Sequence, residues 1–477
     1  MMKRKFWIIL GAVTVIHALI NLYMGLGDDE AYHWVWSNHL ALSYYDHPPM
    51  VAYIIWFFTR ILGTSFFTVH LGALLSVTLF IVIIYQWAKE MFSSREALWA
   101  ATTVLFIPIF FVGGTVTVPD APLGLFWVLT LWLVYRALKE SKSSYWYLAG
   151  LAMGLSSLSK YNGLLLPALV FLYLIFSRKH RFWLLRKEPY IALLIGLIIF
   201  SPVIIWNYQY DWASFRFQFL SRHRGGFSIV RFLQFVAAQF TYLAPLAFVY
   251  ACLGFYRLGK MGWGKKIWEY QYLFFTSFPL VLLFALNSFV SRSFKPHWPA
   301  LGYIGGIVGG VAAGGLSGKE RNFLKINILI CIILMSVMVG HTFYPFLPIP
   351  RKQDITNDLY GWDKVSQAID EIEKGLGKPF FLLTDRYQMG AHLSFATGKE
   401  VYTFRPHRLS QFDFWQDKEG IKGKDAIYVT HSRYFKDPND IYKFQKIELL
   451  KEVTLVRGGK EMRIFYLYYC QNFAGLK

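Results

Sequence analysis

Several carboxylates in this sequence lie at the ends of long apolar runs, where they could serve as bases. Asp28, Asp29 and Glu30 directly follow the first apolar run, and Asp120 stands in the string TVPDAP before another. Partial removal from water raises the pKa of a carboxylate, so such a group can take a proton from an attacking hydroxyl near neutral pH. The alternative is capping, because aspartate is a favoured N-cap and acids stabilise the first turn of a helix.

A further acid belongs to the string Asp46-His47-Pro48-Pro49. The two prolines stiffen the backbone and favour the start of a helix directly after them. Asp46 and His47 together could bind a divalent cation such as Mg²⁺, Mn²⁺ or Zn²⁺, and His47 could instead contact a phosphate. A turn with a helix cap would explain the same string without any ligand.

Basic side chains that could hold a phosphate occur in three further strings. These are KYN at 160–162, RHRGG at 222–226 and SFKPHW at 293–298. Arginine pairs with phosphate through two parallel hydrogen bonds, whereas lysine acts as a point charge. A lone lysine can also extend to the membrane surface without binding anything. The candidate phosphate contacts are His47, Lys160, Tyr161, Arg222, Arg224, Lys295 and His297.

Common catalytic motifs are missing from the sequence. It contains no G-x-x-x-x-G-K-[ST] phosphate loop, no H-E-x-x-H zinc motif and no G-x-S-x-G nucleophile motif. Cys252, Cys331 and Cys470 show no metal-ligand spacing. These absences weaken the case for ATP-driven transport and for the common hydrolase chemistries.

The elements that must position the candidate residues are apolar helices. Of the 477 residues, 55% are hydrophobic and only 16% are charged, whereas soluble domains carry about 25% charged residues. Because a spanning helix needs about 20 apolar residues, we predict an all-α polytopic membrane protein with about 11 transmembrane helices. The predicted spans are 6–25, 66–87, 96–113, 121–137, 145–159, 162–177, 189–206, 232–256, 268–287, 298–316 and 324–345.

Basic residues predict the orientation of these spans. With Lys3, Arg4 and Lys5 on the inner side, most lysines and arginines of residues 1–347 fall in inner loops, as the positive-inside rule requires. The net charge of +20 is therefore assigned to topology, because no nucleic-acid motif accompanies it. The basic strings at 222–226 and 293–298 lie on the outer side against this trend, which favours an anionic ligand there.

Two regions lie outside the predicted spans, and both are on the outer side. The loop after the first span predicts short interfacial helices at 30–42 and 49–61. Residues 348–477 have the composition of a soluble domain, and the alternation of strands and helices in them predicts a small α/β domain. We predict helices at 362–375 and 386–396, strands at 380–384, 400–404, 425–430 and 462–469, and a transmembrane domain at 1–347.

Four strings resemble those of a known family. They are GDDEAYHWVWSNHLALSYYDHPPMVAYI, VPDAPLGLFW, GLSSLSKYNGLLLPAL and SFKPHWPALGYIGG. In this order, over residues 1–345, they are similar to bacterial GT-C glycosyltransferases. Within that superfamily they look nearest to the protein O-mannosyltransferases and lipid A aminoarabinose transferases, glycosyltransferase families 39 and 83. One string alone would be a weak signal, whereas the ordered set is fairly specific.

The resemblance implies a fold and a reaction. The fold would be GT-C, with many spans, interfacial helices in the first loop and an active site at the outer membrane face. The donor would be a sugar on a polyprenyl phosphate, and transfer would invert the anomeric centre. The enzyme would be a hexosyl or pentosyl transferase of the bacterial inner membrane, with its active site and C-terminal domain in the periplasm.

The resemblance also implies roles for individual residues. Asp29 matches the family's catalytic acid, as general base or as the group that orients the acceptor, and Asp120 matches the second essential acid. Asp46 and His47 stand where relatives carry an acid and a basic residue near the donor phosphate or a metal. Histidine here departs from the lysine-like pattern of relatives.

The acceptor stays open at this point. Relatives modify lipid A, other glycolipids, polysaccharides or protein hydroxyls, and the Asp-His-Pro-Pro string favours the bacterial lipid-modifying branch. A protein O-glycosyltransferase on the same scaffold is the alternative within the family, and a polysaccharide polymerase or ligase is an alternative among other enzymes. From another class, a transporter or flippase of lipid-linked sugars would show internal repeats and midspan polar residues, and neither is evident.

Overall fold

The protein is described by a computed structural model that covers residues 1–221, 225–293, 295–404 and 408–477, with the backbone alone at 220 and 221. Most of these residues are helical. The α-helices are α1 Met2–Tyr23, α2 Asp28–Asn38, α3 Met50–Leu62, α4 Phe66–Met91, α5 Ser94–Phe106, α6 Pro108–Val112, α7 Asp120–Glu140, α8 Ser143–Ser159, α9 Leu165–Phe176, α10 Glu188–Gln209, α11 Ala213–Phe215, α12 Ile229–Tyr242, α13 Pro245–Gly259, α14 Trp268–Phe275, α15 Phe278–Val290, α16 Ala300–Gly314, α17 Gly318–Phe343, α18 Trp362–Leu376, α19 Tyr387–Thr397 and α20 Pro438–Ile441.

Each predicted span coincides with one helix or with two consecutive helices. Within the described ranges, six helices are long and apolar enough to cross a membrane: α1, α4, α7, α10, the continuous α14–α15 stretch and α17. The bent pair α12 and α13 would make a seventh, and shorter apolar helices lie at 50–62, 161–176 and 300–314. The multi-pass architecture is confirmed, whereas the number of about 11 spans stays a prediction.

The structure adds a bend to the span that we predicted at 232–256. The chain bends there by 109°, between α12 and α13. Pro245 begins α13, has no N–H to continue the ladder of α12, and disfavours the helical conformation at the residue before it. Ala244 accordingly has a φ of 68°. The proline was visible in the sequence and is the physical reason for the break.

Small residues let the helices α13 and α16 pack closely. A Cβ atom added to Gly254 would lie 1.8 Å from the carbonyl oxygen of Gly306, so the two backbones touch where a side chain cannot fit. Such contacts are typical of membrane helices, because close packing replaces the hydrophobic effect as the force between them. The glycine-rich string of α16 therefore serves to pack helices.

Both short helices predicted for the first loop are present, as α2 and α3, and their interfacial location stays a prediction. Gly27 caps α2 through its backbone, which is extended, and its N–H donates to Glu30 Oε2 at 2.8 Å. This hydrogen bond satisfies one of the free N–H groups at the helix start. α3 begins directly after Pro48 and Pro49, as the double proline predicts.

The C-terminal residues form a five-stranded sheet flanked by helices. The strands are β1 Phe381–Thr384, β2 Val401–Thr403, β3 Ala426–His431, β4 Tyr442–Arg457 and β5 Lys460–Leu476, in the order β2-β1-β3-β5-β4. β1 runs parallel to β2 and β3, and β5 runs antiparallel to β3 and β4. The predicted α/β domain is confirmed, with α18 and α19 at the predicted positions.

The sequence prediction missed β4. Most side chains of this strand are exposed or half-buried, so it lacks the apolar alternation of a strand that covers a core. A turn at Gly458 and Gly459, with φ of 57° and 72°, joins β4 to β5 in register Arg457↔Lys460. A Gly-Gly pair is a hairpin signal, because both central residues of the turn need positive φ. That pair could have revealed the strand.

The chain divides into two compact units. The first comprises 1–20, 41–54 and 70–336, and the second comprises 21–40, 55–69 and 337–477. The second unit thus includes two segments of the first loop, and therefore α2, together with the C-terminal sheet. It contains more than the predicted domain 348–477.

Candidate active site

Asp120 and Lys160 form an ion pair at one end of a helical hairpin in the first unit. α7 begins at Asp120, and α8 ends at Ser159, directly before Lys160. The two helices are joined by residues 141–142, so they run antiparallel and the start of one lies beside the end of the other. The Lys160 ammonium donates to both carboxylate oxygens of Asp120, at 2.8 and 2.7 Å. The structure therefore joins two residues that the sequence named separately.

Burial makes this pair unusual. The Lys160 side chain is only 7% exposed, whereas the Asp120 side chain is 40% exposed. Lysine is almost never buried unless it is paired, because its ammonium loses the stabilisation of water. Asp120 thus holds Lys160 in place, and both of its oxygens are engaged in doing so.

Two histidines complete the surroundings of the pair. His47 and His297 both lie close enough to act electrostatically on the Asp120 carboxylate. His47 comes from the loop before α3, and His297 comes from the turn before α16, where its carbonyl accepts the N–H of Ala300 at 3.1 Å. Lysine and protonated histidine are donors without acceptor capacity, so this group of residues suits an anionic oxygen.

The loop that carries His47 is held by the segment after α11. The Gln218 side chain donates to the backbone carbonyl of Asp46 at 2.5 Å, and the rings of Tyr45 and Phe217 stack with centroids 4.9 Å apart. Sequence reasoning missed Gln218. No local pattern signals a contact between residues that are 172 positions apart.

A divalent cation was predicted at Asp46 and His47. Asp46 is buried, at 7% exposure. Among the residues that the structure describes, no group of three or more His, Cys, Asp or Glu side chains could hold a metal ion. Two side chains alone leave most ligand positions of Mg²⁺ or Zn²⁺ to water or substrate. The metal role of these two residues stays a prediction.

Tyr161 was predicted as a donor contact, which stays a prediction, and the structure shows how its side chain packs. Its hydroxyl shares a 2.6 Å hydrogen bond with Ser214, and its ring lies edge-on to Phe200 and Phe215. The side chain is buried. These contacts of Tyr161 help to hold the backbone next to Lys160 in place.

The structure says less about the remaining basic residues that were predicted to contact phosphate. Lys295 is exposed, and its carbonyl accepts the N–H of Trp298 at 3.1 Å. Arg222 and Arg224 lie outside the described residues, so their predicted role in phosphate binding stays a prediction.

The three acids at the start of α2 belong to the second unit, and each has different surroundings in the structure. Glu30 is buried and accepts the N–H of Gly27, so it caps the helix. Asp28 Oδ1 lies 3.0 Å from His392 Nε2. Asp29 is exposed. Of the three, Asp29 is the carboxylate that is open to solvent, and it sits at the positive end of the helix dipole.

Asp28 lies in a strongly charged part of the second unit. Burial raises the pKa of its carboxyl, but the hydrogen bond from His392 and the positive charges of Arg463 and Arg433 outweigh burial. The pKa therefore lies below its usual value, and Asp28 is ionised at neutral pH. Sequence reasoning missed His392 because its partner is 364 positions away.

Comparisons with known proteins relate the sequence and the fold of this chain to glycosyltransferases. Residues 46–206 match the family of dolichyl-phosphate-mannose-protein mannosyltransferases. The lipid A galacturonosyltransferase RgtD of Rhizobium johnstonii is 26% identical over 421 residues, which cover 85% of this chain and 86% of RgtD. The crystal structure of ArnT from Cupriavidus metallidurans in the apo state aligns with a TM-score of 0.69 at 14% identity, over 98% of both chains. The chain has the GT-C fold and is similar to glycosyltransferases of that superfamily.

The GT-C assignment confirms the resemblance found in the sequence and extends it beyond residue 345. A second ArnT structure, bound to undecaprenyl phosphate, aligns with a TM-score of 0.65 at 15% identity, over 96% of this chain and 97% of that chain. The shared fold thus includes the C-terminal sheet as well as the helices. The chain is accordingly a multi-pass membrane protein.

Proposed function

We propose that this GT-C protein is an inverting glycosyltransferase that moves a sugar from a polyprenyl-phosphate donor to lipid A or a related glycolipid. The observation that carries the proposal is the buried Lys160 ammonium, which is paired with Asp120, a carboxylate that also lies within electrostatic reach of His47 and His297. RgtD is a lipid A transferase matched over most of both chains, and one ArnT structure holds undecaprenyl phosphate. Both comparisons support the donor and acceptor classes.

The proposed chemistry needs a cation at the leaving group. When the acceptor oxygen bonds to the anomeric carbon, the bond from that carbon to the phosphate oxygen breaks and its electron pair stays on the phosphate. A preorganised donor at that oxygen stabilises the developing charge most strongly where water is scarce. Lys160 is such a donor, because it is buried and already oriented by Asp120.

The acceptor hydroxyl must lose a proton in the same step. We assign this proton to Asp29, the exposed carboxylate at the start of α2. Inversion needs a single displacement and hence one base, with no covalent sugar–enzyme intermediate. Asp120 is less suited to this role, since both of its oxygens already accept hydrogen bonds from Lys160.

Within this class we propose a hexuronic acid as the transferred sugar, with a pentose as the competing candidate. The match to RgtD supports this choice because it spans 85% of the chain. We place the enzyme in the bacterial inner membrane with its active site facing the periplasm, where a polyprenyl-linked sugar and lipid A can meet. Lysines and arginines concentrated in the opposite loops support this orientation.

The test is a transfer assay with purified, full-length protein. Polyprenyl phosphates that carry galacturonic acid, 4-amino-4-deoxyarabinose or mannose serve as donors. Each donor is incubated with lipid A or with a Ser/Thr-rich peptide as acceptor, and the products are identified by mass spectrometry. We expect transfer of the uronic acid to lipid A. Transfer to the peptide would favour the protein O-glycosyltransferase, and no transfer from any donor would overturn the proposal.

Lys160→Met tests the observation on which the proposal rests. We expect kcat to fall by about 10²–10³-fold, the usual effect of losing one preorganised donor. Lys142→Met is the matched control, because Lys142 is exposed, paired with Glu140 and located at the opposite end of α8. Equal activity of both variants would remove Lys160 from the mechanism.

A further inference from the structure

The start of α2 is attached to the C-terminal sheet domain through Asp28. His392 lies in the middle of α19 and donates from Nε2 to Asp28 Oδ1 at 3.0 Å. The His392 side chain is 4% exposed and that of Asp28 is 34% exposed. Asp28, the residue next to the proposed base Asp29, is therefore hydrogen-bonded to the buried side chain of His392, which comes from another part of the same unit.

The orientation of the His392 ring is itself fixed by its neighbours. Its ring stacks on Trp362 with centroids 4.4 Å apart and planes only 4° from parallel. The Trp362 indole donates to the carbonyl of Asp358 at 2.8 Å, and the Asp358 carboxylate pairs with Arg433 and Arg463. A buried ring held on one face and at one nitrogen has a single orientation, so its hydrogen bond to Asp28 is well defined.

Backbone contacts hold the same end of α2. A Cβ atom added to Gly25 would lie 2.0 Å from the carbonyl oxygen of Leu359, so the chain before α2 lies directly on the turn at 355–359. Further along the helix, the Tyr32 hydroxyl accepts the N–H of Gln411. Contacts with the C-terminal domain thus occur before, at and after the first turn of α2.

α2 has only 11 residues, and a helix this short is not stable on its own in water. Its position must therefore come from its contacts. Successive residues of a helix point about 100° apart, so anchoring the side chain of Asp28 sets the direction of Asp29.

We propose that His392 is a positioning residue, which through Asp28 sets the direction of the Asp29 carboxylate and makes the C-terminal domain part of the catalytic apparatus. This inference rests on the proposed function, because it concerns the proposed base of that reaction. It assigns the C-terminal domain a task in the chemical step. A domain that merely covered the helices would not need this buried hydrogen bond.

The test compares His392→Ala with His392→Gln and with Ile421→Ala in full-length protein in nanodiscs. Gln retains a donor at the end of a side chain of similar reach, whereas Ala leaves the Asp28 carboxylate without this partner. Ile421 is buried in a separate apolar cluster of the same domain, so its truncation destabilises the domain without touching α2. The readouts are kcat, the KM for the donor, and hydrogen exchange of the amides in α2.

Displacement of a catalytic group by about 1 Å can cost about 10²-fold in rate, so we expect His392→Ala to lower kcat by about 10- to 100-fold. The KM for the donor should change less than about 2-fold, because the proposed phosphate contacts, such as Lys160, are untouched. Exchange in α2 should rise in His392→Ala only, and His392→Gln should recover much of the activity. Unchanged kcat in His392→Ala, or an equal loss in Ile421→Ala, would overturn the proposal.

Failure of the proposed function gives a different result. In that case the wild-type protein transfers no sugar from any donor, whatever stands at position 392. The hydrogen-exchange measurement needs no substrate and still decides whether His392 orders α2. Unchanged exchange in His392→Ala would refute the positioning role independently of the assay.

Discussion

At the scale of single residues, Lys160 is a cation whose burial costs free energy that a partner must offset. A buried ammonium is stabilised by its partner, and Asp120 provides that partner through two hydrogen bonds. The same pair has a structural and a chemical task, because it stabilises the end of the α7–α8 hairpin and presents a cation to a ligand. The two tasks can be separated by changing both residues together.

Asp120→Asn should destabilise the protein, since it leaves Lys160 buried beside a neutral amide. Breaking a buried pair costs about 3–5 kcal/mol, and the partial exposure of Asp120 reduces this to about 1–3 kcal/mol. The double variant Asp120→Asn/Lys160→Met should regain most of this stability, because no unpaired charge is left. Thermal unfolding of the solubilised protein measures both effects.

Transfer activity provides the second half of this prediction. We expect the double variant to stay as inactive as Lys160→Met, despite its regained stability, because the cation is missing. Recovery of transfer together with stability would show that Lys160 is needed only for folding.

The sequence could identify these residues singly but could not pair them. Asp120 and Lys160 stood out because charged residues are rare in apolar surroundings, a purely local signal. Their contact depends on how α7 packs on α8, and the contact of Asp28 with His392 depends on a fold that spans 364 positions. The hydrogen bond of Tyr161 with Ser214, 53 positions away, could not be predicted from the sequence either.

At the scale of elements, the apolar helices were predictable because each long run specifies its own helix in lipid, where every backbone group must be satisfied internally. The bend before Pro245 and the strand β4 were missed, although a proline and a Gly-Gly pair signalled them. The packing of helices on one another was not predictable from hydropathy. It depends on small residues such as Gly254, which only become informative once their neighbours are known.

Gly254→Ala should disrupt the contact between α13 and α16. The added methyl group meets the backbone of Gly306 at 1.8 Å, and a backbone cannot move aside as a flexible side chain can. We expect a destabilisation of about 1–3 kcal/mol, as for other overpacked interiors. The apparent melting temperature in detergent should fall accordingly.

Gly259→Ala is the control on the same helix. An added Cβ there meets nothing within 4 Å, so the substitution should leave stability unchanged or raise it slightly through better helix propensity. Equal melting temperatures for both variants would contradict the close packing of α13 on α16.

At the scale of the whole molecule, charge distribution is the property that links fold to function. The chain carries a net charge of +20, and the predicted inner loops hold most of it. A transferase that uses polyprenyl-linked sugars on the periplasmic side needs α2 and the C-terminal domain on that side. The positive-inside rule gives the same orientation from an independent argument, because it concerns insertion and not catalysis.

Cysteine labelling tests this orientation in cells with a membrane-impermeant maleimide. Lys187→Cys lies in a basic loop predicted to face inward and Lys378→Cys lies in the C-terminal domain, and both positions are exposed. In a background in which the three native cysteines are replaced, Lys378→Cys should react in intact cells whose outer membrane is permeabilised. Lys187→Cys should react only after lysis, because the reagent cannot cross the inner membrane. The reverse pattern would place the C-terminal domain in the cytoplasm, and with it α2 of the same unit, so that the proposed base could not act on a periplasmic acceptor.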